Sequence, residues 1–345
     1  MTVLNIALLD DTLDVLRALP SMKALAGHDV TVYKDHVTDV DELGRRLADK
    51  DVLVLMRERT KVDAALIGRL PRLQMISQIS DTPHIDVAAC TDHGILISSN
   101  RFPGAPNFRT LHATAELTWA LALAASRRLP SQMLALRQGR WQTEAGRSLR
   151  GRTLGVFGYG RIGKVVAGYG RAFGMQVQVW GSKDSLERAR ADGHSASVSK
   201  EAFFASSDVL SLHLRLNAQT RAIVDREDLA RMKPDSILVN TSRAGLIAPG
   251  ALLEGLRAGR PGQAAVDVFD EEPMTNTANP LLALDNFLCT PHIGYVEHDS
   301  LDDQYAEIYA QIKAWESGNP VNVINPEVLA RNTGPRKLPA QSWSK

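Results

Sequence analysis

The chain has 345 residues, of which 44% are hydrophobic and 23% are charged. That length favours two globular domains, and the ordinary composition excludes bulk disorder, a fibrous repeat and a disulfide-rich miniprotein. The 40 Lys and Arg residues balance 39 Asp and Glu residues to a net charge of +1. Because no long-range field is present to attract nucleic acid or an acidic membrane surface, we expect a small-molecule partner.

The two cysteines, Cys90 and Cys289, lie far apart without CxxC spacing. This pattern supports neither a disulfide framework nor a structural zinc site, and it favours a reducing compartment. The N-terminal segment carries acidic residues where a secretory signal has basic ones, and no apolar run approaches the roughly 18 residues of a membrane span. The sequence therefore predicts a cytoplasmic protein without a bound metal or a membrane anchor.

The first hundred residues alternate short apolar runs with helix-like segments. Residues 41–50 and 62–70 place apolar side chains at spacings of three and four, as in a helix packed on a sheet. Runs rich in Val, Ile and Leu are typical of buried parallel strands. The predicted strands are VLNIALLDD, HDVTVY, DVLVLM, LQMISQI and GILISS.

A loop with two prolines, NRFPGAPNFR, separates this series from a second one. The loop is followed by the apolar helix candidate ATAELTWALALAASRRL. The strands predicted for the second series are GRTLGVFGYG, MQVQVW, DVLSLHL, SILVNTS, QAAVDVF and NFLCTPHIG. The amphipathic segment after it is too short to fold alone, so we expect it to pack back onto the first domain. The predicted domains are residues 1–102 with 298–330, and residues 103–297; residues 331–345 are expected to form a mobile tail or an arm on a neighbour.

Gly158, Gly160 and Gly163 form a GxGxxG pattern between a strand candidate and a helix candidate. In this context glycines permit a tight turn and bring a pyrophosphate close to a helix N-terminus. A glycine-rich turn without a ligand is the alternative, but the strand before it and the helix after it favour a dinucleotide. The pattern predicts a Rossmann-type parallel sheet.

The strand after this turn ends in Gly181, Ser182 and Lys183. An acid normally stands near this point and binds the adenosine ribose hydroxyls. Its replacement by Ser182 and Lys183 leads to the hypothesis that NADP(H) is accepted, although Asp184 weakens it. The alternative is that Lys183 is an ordinary solvated cation.

Three further strand candidates end in polar residues: Arg243 in LVNTSRAG, Glu272 in VDVFDEEP and His292 in CTPHIG. An open α/β sheet binds its ligand at the carboxyl ends of its strands. Taken singly, each residue has a structural interpretation, because an arginine can bind a helix end, a glutamate is usually solvated and a histidine is often part of the core.

Taken together and in this order, these motifs resemble the D-2-hydroxyacid dehydrogenase family, which includes phosphoglycerate dehydrogenases and hydroxypyruvate and glyoxylate reductases. The resemblance covers most of the chain and is most specific in VNTSRAGLIAPGALLEGLRAGRPGQAAVDVFDEEP and LLALDNFLCTPHIG. It implies an α/β fold in which a nucleotide domain is inserted into a discontinuous, flavodoxin-like substrate domain. It also implies a homodimer built across the hinge helix.

The resemblance implies a role for each motif residue. His292 matches the acid/base that exchanges the hydroxyl proton, Glu272 its carboxylate partner, and Arg243 the clamp on the substrate carboxylate. Asp267 matches a contact to the nicotinamide carboxamide. The residues expected at the NAD(P)(H) cofactor are Gly158, Tyr159, Gly160, Arg161, Ile162, Gly163, Gly181, Ser182, Lys183, Leu214, Arg215, Thr241, Ser242, Asp267 and Gly294.

The chain departs from the family in the loop after the fourth strand. Many members have a glycine-rich loop there that anchors the substrate carboxylate, whereas residues 79–86 read ISDTPHID. Asp81 would repel an anion, so this departure affects the substrate more than the reaction. The predicted substrate contacts are Arg57, Ser80, Asp81 and Arg243; Arg59, in an RxRT segment, is an alternative anion contact, and Arg215 a second candidate for a 2′-phosphate.

The expected function is hydride transfer between NAD(P)H and a 2-oxoacid or D-2-hydroxyacid. Two alternatives stay open: a short 3-phosphoglycerate dehydrogenase, and a nucleotide-sensing protein like the corepressors of the family. A formate dehydrogenase is disfavoured because those members carry glutamine at the position of Glu272.

Overall fold

The computed structural model describes residues 3–100 and 109–330. The described residues form two compact units: one from the segment before Arg109 and the segment from His298 onward, the other from Arg109–Glu297. The predicted tail lies outside the described residues, as does most of the predicted hinge loop, including the boundary between residues 102 and 103.

The first unit is a five-stranded parallel sheet with helices. Its strands run in the order β2-β1-β3-β4-β5, the order of doubly wound sheets of the flavodoxin type. The strands are β1 (Asn5–Leu8), β2 (Asp29–Val32), β3 (Val52–Val54), β4 (Met75–Ile79) and β5 (Leu96–Asn100). The helices are α1 (Val40–Leu47), α2 (Ala64–Ile67), α3 (Val87–Asp92) and, from the end of the chain, α11 (His298–Glu316).

Helix α11 belongs to this unit through buried polar contacts as well as apolar ones. Ser77 Oγ donates to the carbonyl of Ile308 at 2.9 Å, and Gln311 Nε2 donates to the carbonyl of Gln78 at 2.9 Å. Every residue of β4 is buried, including the polar Ser77 and Gln78, as expected of a strand in a parallel sheet that is covered on both faces.

The second unit is a seven-stranded parallel sheet with the order β12-β11-β10-β9-β6-β7-β8. Its strands are β6 (Thr153–Phe157), β7 (Gln176–Trp180), β8 (Ser195–Ala196), β9 (Val209–Leu212), β10 (Ile237–Asn240), β11 (Gln263–Val266) and β12 (Phe287–Cys289). Its helices are α4 (Arg109–Ser126), α5 (Leu129–Arg137), α6 (Arg161–Ala172), α7 (Lys183–Ala191), α8 (Lys200–Ser206), α9 (Arg226–Arg231) and α10 (Ala251–Arg257).

The strand order reverses between β6 and β9, which is the point at which a doubly wound sheet opens a crevice at its carboxyl edge. Gly158 follows β6 and His213 follows β9, so the glycine-rich turn lies at this crevice. The predicted α/β fold with a Rossmann-type parallel sheet is confirmed. Among the described helices, none combines the length and the apolar character needed to cross a bilayer.

Candidate active site

The glycine-rich turn after β6 is shaped for a dinucleotide. Gly158 has a φ of +95°, and a Cβ there would lie 2.7 Å from the carbonyl oxygen of His213. A Cβ on Gly163 would collide with the carbonyl oxygen of Gly158, which brings helix α6 against the strand. Gly160 caps α6, and a Cβ there would meet no protein atom within 4 Å. The open space before the helix N-terminus fits a pyrophosphate, whose charge the free amides and the helix dipole stabilise.

Tyr159 stands in the turn, but its side chain faces the protein. The side chain is 2% exposed, and its hydroxyl donates to Asp192 Oδ2 at 2.8 Å. Burial, together with the hydrogen bond to Asp192, raises the pKa of the Tyr159 hydroxyl. The Tyr159 side chain is therefore occupied within the protein, so a cofactor contact of this residue would come from its backbone, and its expected role stays a prediction. Of the other two predicted turn contacts, Arg161 is exposed and Ile162 packs partly against the core.

The carboxyl end of β7 carries a serine and a guanidinium in place of an acid. Ser182 caps helix α7 by accepting from the backbone N–H of Ser185 at 3.3 Å. Arg188 Nη2 donates to the carbonyl of Tyr159 at 3.1 Å and to Ser185 Oγ at 3.3 Å, so its guanidinium lies beside the glycine-rich turn. The side chain of Lys183 is 89% exposed and 4.0 Å from Glu187.

The sequence interpretation missed Arg188. The signal was present, because Ser182, Ser185 and Arg188 follow one another at spacings of three residues and therefore share one face of a helix. Gly181 stands at the predicted position after β7 and is partly buried, and a Cβ built on it would lie 3.6 Å from Gly158 Cα.

The loops after β9 and β10 are joined by a side-chain hydrogen bond, in which Ser242 Oγ donates to the carbonyl of Leu214 at 2.6 Å. The Thr241 hydroxyl lies 2.6 Å from that of Thr118 on helix α4. Arg215 is exposed on the same loop as Leu214. These predicted cofactor residues therefore meet at the crevice edge of the seven-stranded sheet.

Glu272 and His292 form the hydrogen-bonded pair expected of a carboxylate and a histidine acid/base. His292 Nδ1 lies 2.5 Å from Glu272 Oε2, and Glu272 Oε1 accepts from the backbone N–H of Phe269 at 2.8 Å. Because an ionised carboxylate only accepts, Nδ1 carries the proton of this bond. Among the described residues Nε2 has no hydrogen-bond partner, so this nitrogen is left for chemistry.

Arg243 lies near the Glu272–His292 pair, because its positive charge acts on the Glu272 carboxylate. Burial raises the pKa of the Glu272 carboxyl, but its hydrogen bonds with His292 and Phe269 and the charge of Arg243 outweigh it and hold the pKa below the ordinary value. Glu272 is therefore ionised at neutral pH. The exposed Arg243 holds its guanidinium with Nη1 2.7 Å from the carbonyl of Ser242.

Asp267, the expected contact to the nicotinamide carboxamide, binds the loop that carries His292, and its expected role stays a prediction. Its side chain is fully buried, and both oxygens accept hydrogen bonds from the loop that carries His292, including the backbone N–H of Gly294 at 2.8 Å. Burial raises the pKa of Asp267 although these donors oppose the shift. Gly294 is closed in as well, because its carbonyl accepts from Thr114 Oγ1 at 2.9 Å.

The predicted substrate residues of the first unit lie at the carboxyl ends of β3 and β4. Arg57 and Ser80 have φ angles of +56° and +102°, which are strained for residues other than glycine. Arg57 Nη2 donates to Gln304 Oε1 at 2.9 Å, and Ser80 Oγ lies 3.5 Å from Glu58 Oε1. Asp81 is exposed. Their roles stay predictions.

Arg59, the alternative anion contact, donates to the carbonyl of Asp10 at 3.1 Å and to Thr12 Oγ1 at 3.2 Å. Its guanidinium therefore supports the loop that follows β1.

Comparison of this chain with known proteins identifies its family. Residues 119–294 match the family model described as D-isomer specific 2-hydroxyacid dehydrogenase, NAD binding domain. The chain is 36% identical over 302 residues to a D-3-phosphoglycerate dehydrogenase of Methanocaldococcus jannaschii, an alignment that covers 86% of this chain and 56% of that protein. This chain therefore spans little more than half the length of that relative.

A glyoxylate reductase of Aeropyrum pernix is 35% identical over 280 residues, with 78% of this chain and 81% of that protein covered. The crystal structure of a phosphoglycerate oxidoreductase from Vibrio cholerae O395 has 46% sequence identity and a TM-score of 0.83, and covers 90% of this chain and 98% of its own. The family inferred from the motifs is confirmed: the chain belongs to the D-isomer specific 2-hydroxyacid dehydrogenases.

Proposed function

We propose that this protein is an NAD(P)(H)-dependent oxidoreductase that interconverts a 2-oxoacid and a D-2-hydroxyacid. The observation that carries the proposal is the Glu272–His292 pair, with Nε2 left open, at the crevice edge where the dinucleotide turn also lies. The names of the relatives, a glyoxylate reductase and a phosphoglycerate dehydrogenase, agree with this class of substrate.

In the reduction, His292 Nε2 donates its proton to the C2 carbonyl oxygen while a hydride adds to C2. That hydride would come from a bound nicotinamide, which would take it back in the reverse direction. Arg243 binds the substrate carboxylate, because a planar guanidinium forms two parallel hydrogen bonds to it. Glu272 holds the ring through Nδ1 and stabilises the imidazolium from which the proton is transferred.

The assay that tests this function supplies glyoxylate, hydroxypyruvate, pyruvate, 2-oxoisocaproate and 3-phosphohydroxypyruvate in turn, with NADH and with NADPH. Turnover of at least one pair is expected. Turnover of 3-phosphohydroxypyruvate alone would favour a short phosphoglycerate dehydrogenase. No turnover with any pair would contradict the enzyme and favour a nucleotide-sensing protein.

Substituting Gly160 by alanine is expected to raise the Kd for the dinucleotide by about tenfold or more without lowering Tm. The added methyl group meets no protein atom within 4 Å, so the fold tolerates it, whereas it occupies the space proposed for the pyrophosphate. Fluorescence titration with NADH and NADPH measures the affinity. The matched control is Gly168→Ala, on the same helix and equally open. Unchanged binding by Gly160→Ala would contradict the proposed pyrophosphate position.

NADP(H) is the proposed preferred cofactor. The ribose end of the crevice has no carboxylate directly after β7, and it presents the Ser182 hydroxyl, the N-terminus of helix α7 and the Arg188 guanidinium. A 2′-phosphate is stabilised by all three groups. Arg188 replaces Lys183 as the main candidate, because Lys183 extends into solvent.

We further propose that the protein is a cytoplasmic homodimer. Large apolar side chains in and just after helix α5 are between 47% and 75% exposed, more than a monomer keeps in one short segment: Leu129, Met133, Leu134, Leu136 and Trp141. The free thiols Cys90 and Cys289 agree with a reducing compartment.

Introducing a charge at Leu134, as Leu134→Glu, is expected to convert the dimer into a monomer of half the mass, because an unpaired carboxylate at an apolar interface is costly to desolvate. Light scattering after size exclusion separates the 37.7 kDa chain from twice that mass. Val198→Glu is the control, since Val198 is 91% exposed outside the α5 segment. A wild-type protein that runs as a monomer at micromolar concentration would contradict the dimer.

A further inference from the structure

The loop from Thr290 to Gly294, which carries His292, is fastened to one buried carboxylate. Asp267 Oδ1 accepts from Thr290 Oγ1 at 2.6 Å and from the backbone N–H of Ile293 at 2.8 Å, and Oδ2 accepts from the backbone N–H of Gly294 at 2.8 Å. Asp267 follows β11 directly and is fully buried. The carboxylate therefore holds the loop on both sides of His292.

The backbone of His292 needs such support. Its φ is +53°, in the left-handed region that a residue with a side chain avoids, and such a conformation persists only where its surroundings enforce it. The backbone N–H of His292 donates to the carbonyl of Thr290 at 3.0 Å, which closes a tight turn at this point. Glu272 hydrogen-bonds the imidazole ring, whereas the hydrogen bonds of Asp267 go to Thr290 and to the backbone after His292.

We propose that Thr290 and Asp267 are positioning residues that hold the His292 backbone in this conformation and so aim its ring at Glu272. The inference rests on the proposed role of His292. Thr290 is the side-chain link of the clamp, because its hydroxyl is the one donor to Asp267 among the described residues that does not come from the backbone. Loss of this hydroxyl leaves the two backbone donors in place and loosens the residue at the start of the turn.

The test compares Thr290→Val, which removes the hydroxyl at nearly constant volume, with Thr290→Ser, which retains it. Valine is expected to lower kcat by about tenfold to a hundredfold with KM for the 2-oxoacid and the cofactor changed by less than about threefold. Serine is expected to restore kcat to within about threefold of the wild type. A lower kcat with unchanged KM indicates that the variant misorients His292 toward the reacting atom and does not weaken the binding of substrate or cofactor.

A second readout does not depend on turnover. An imidazole N–H that donates to a carboxylate gives a proton resonance downfield of the amides, and the His292→Gln variant identifies the one that belongs to His292. The resonance is expected in the wild type and in Thr290→Ser, and it should broaden or vanish in Thr290→Val. Should the valine variant not fold by circular dichroism, Thr290→Ala takes its place with the same measurements.

Retention of the His292 resonance and of kcat in the hydroxyl-free variant would overturn the inference, as would its absence from the wild type. A lower Tm with unchanged kcat and resonance would give Thr290 a purely structural role and also overturn it. If His292→Ala keeps its activity, the proposed function fails, but the resonance still decides whether Thr290 positions the ring.

Discussion

Replacing His292 by alanine is expected to lower kcat by about 10²- to 10⁴-fold while the Kd for NADH or NADPH stays within about threefold. The ring is the only histidine in contact with Glu272 among the described residues, and its Nε2 lacks a competing partner there. Its removal takes away the proton donor, whereas the glycine-rich turn and helix α6 are untouched. Steady-state kinetics and fluorescence titration measure the two effects.

Two further variants test the assignment of His292 as the acid/base. Glu272→Gln keeps an oxygen within reach of Nδ1 but removes the charge, so we expect a smaller loss of kcat, about tenfold to a hundredfold, from the weaker stabilisation of the imidazolium. His298→Ala removes a histidine that is 66% exposed and should change neither kcat nor Kd. Activity of His292→Ala close to that of the wild type would exclude this residue as the acid/base.

Much of the fold could be predicted because buried parallel strands have a strong sequence signal. The apolar runs that were assigned to strands correspond to eleven of the described strands in the two sheets. Strand β8 was missed, since Ser195 and Ala196 are two short residues at a sheet edge. The helix expected over residues 62–70 is only Ala64–Ile67, because Asp63 caps it late and the C-cap Gly68 ends it early.

The candidate site was predictable where one residue type suits the chemistry. Arg243, Glu272 and His292 stand at adjacent strand ends, and the structure brings Glu272 and His292 into contact. The side-chain directions of Tyr159 and Asp267 could not be predicted, because a motif gives a position in the chain but not the direction of a side chain. Tyr159 turns toward Asp192, and Asp267 turns toward the loop that carries His292.

The structure also changes the residue that is expected to bind the 2′-phosphate of the cofactor. Lys183 was the cation that the sequence offered for a 2′-phosphate, but its side chain extends into solvent. Arg188, five residues further along the helix, lies against the glycine-rich turn through the carbonyl of Tyr159. Binding of the 2′-phosphate by Arg188 and binding by Lys183 therefore predict different results for the same substitutions.

We expect the wild type to have a higher kcat/KM with NADPH than with NADH. Arg188→Gln should lower kcat/KM for NADPH by about 10- to 100-fold, the worth of one or two charge-assisted hydrogen bonds, and change the value for NADH by less than about threefold. Lys183→Gln is the matched control and should change either value by less than about threefold, because an exposed cation contributes little.

Gly181→Asp tests the same cofactor preference in the opposite direction, because it restores a carboxylate at the end of β7, where NAD-dependent sheets bind the ribose hydroxyls. The new charge repels a 2′-phosphate and accepts from a 2′-hydroxyl, so the preference should turn toward NADH. A Cβ at Gly181 would lie 3.3 Å from Ser185 Cβ and its φ of +159° is strained for a residue with a side chain, so Tm of the variant is measured beside its kinetics. A wild type that prefers NADH, or an effect of Lys183→Gln larger than that of Arg188→Gln, would contradict the assignment of Arg188, because both results require the phosphate to be absent or bound elsewhere.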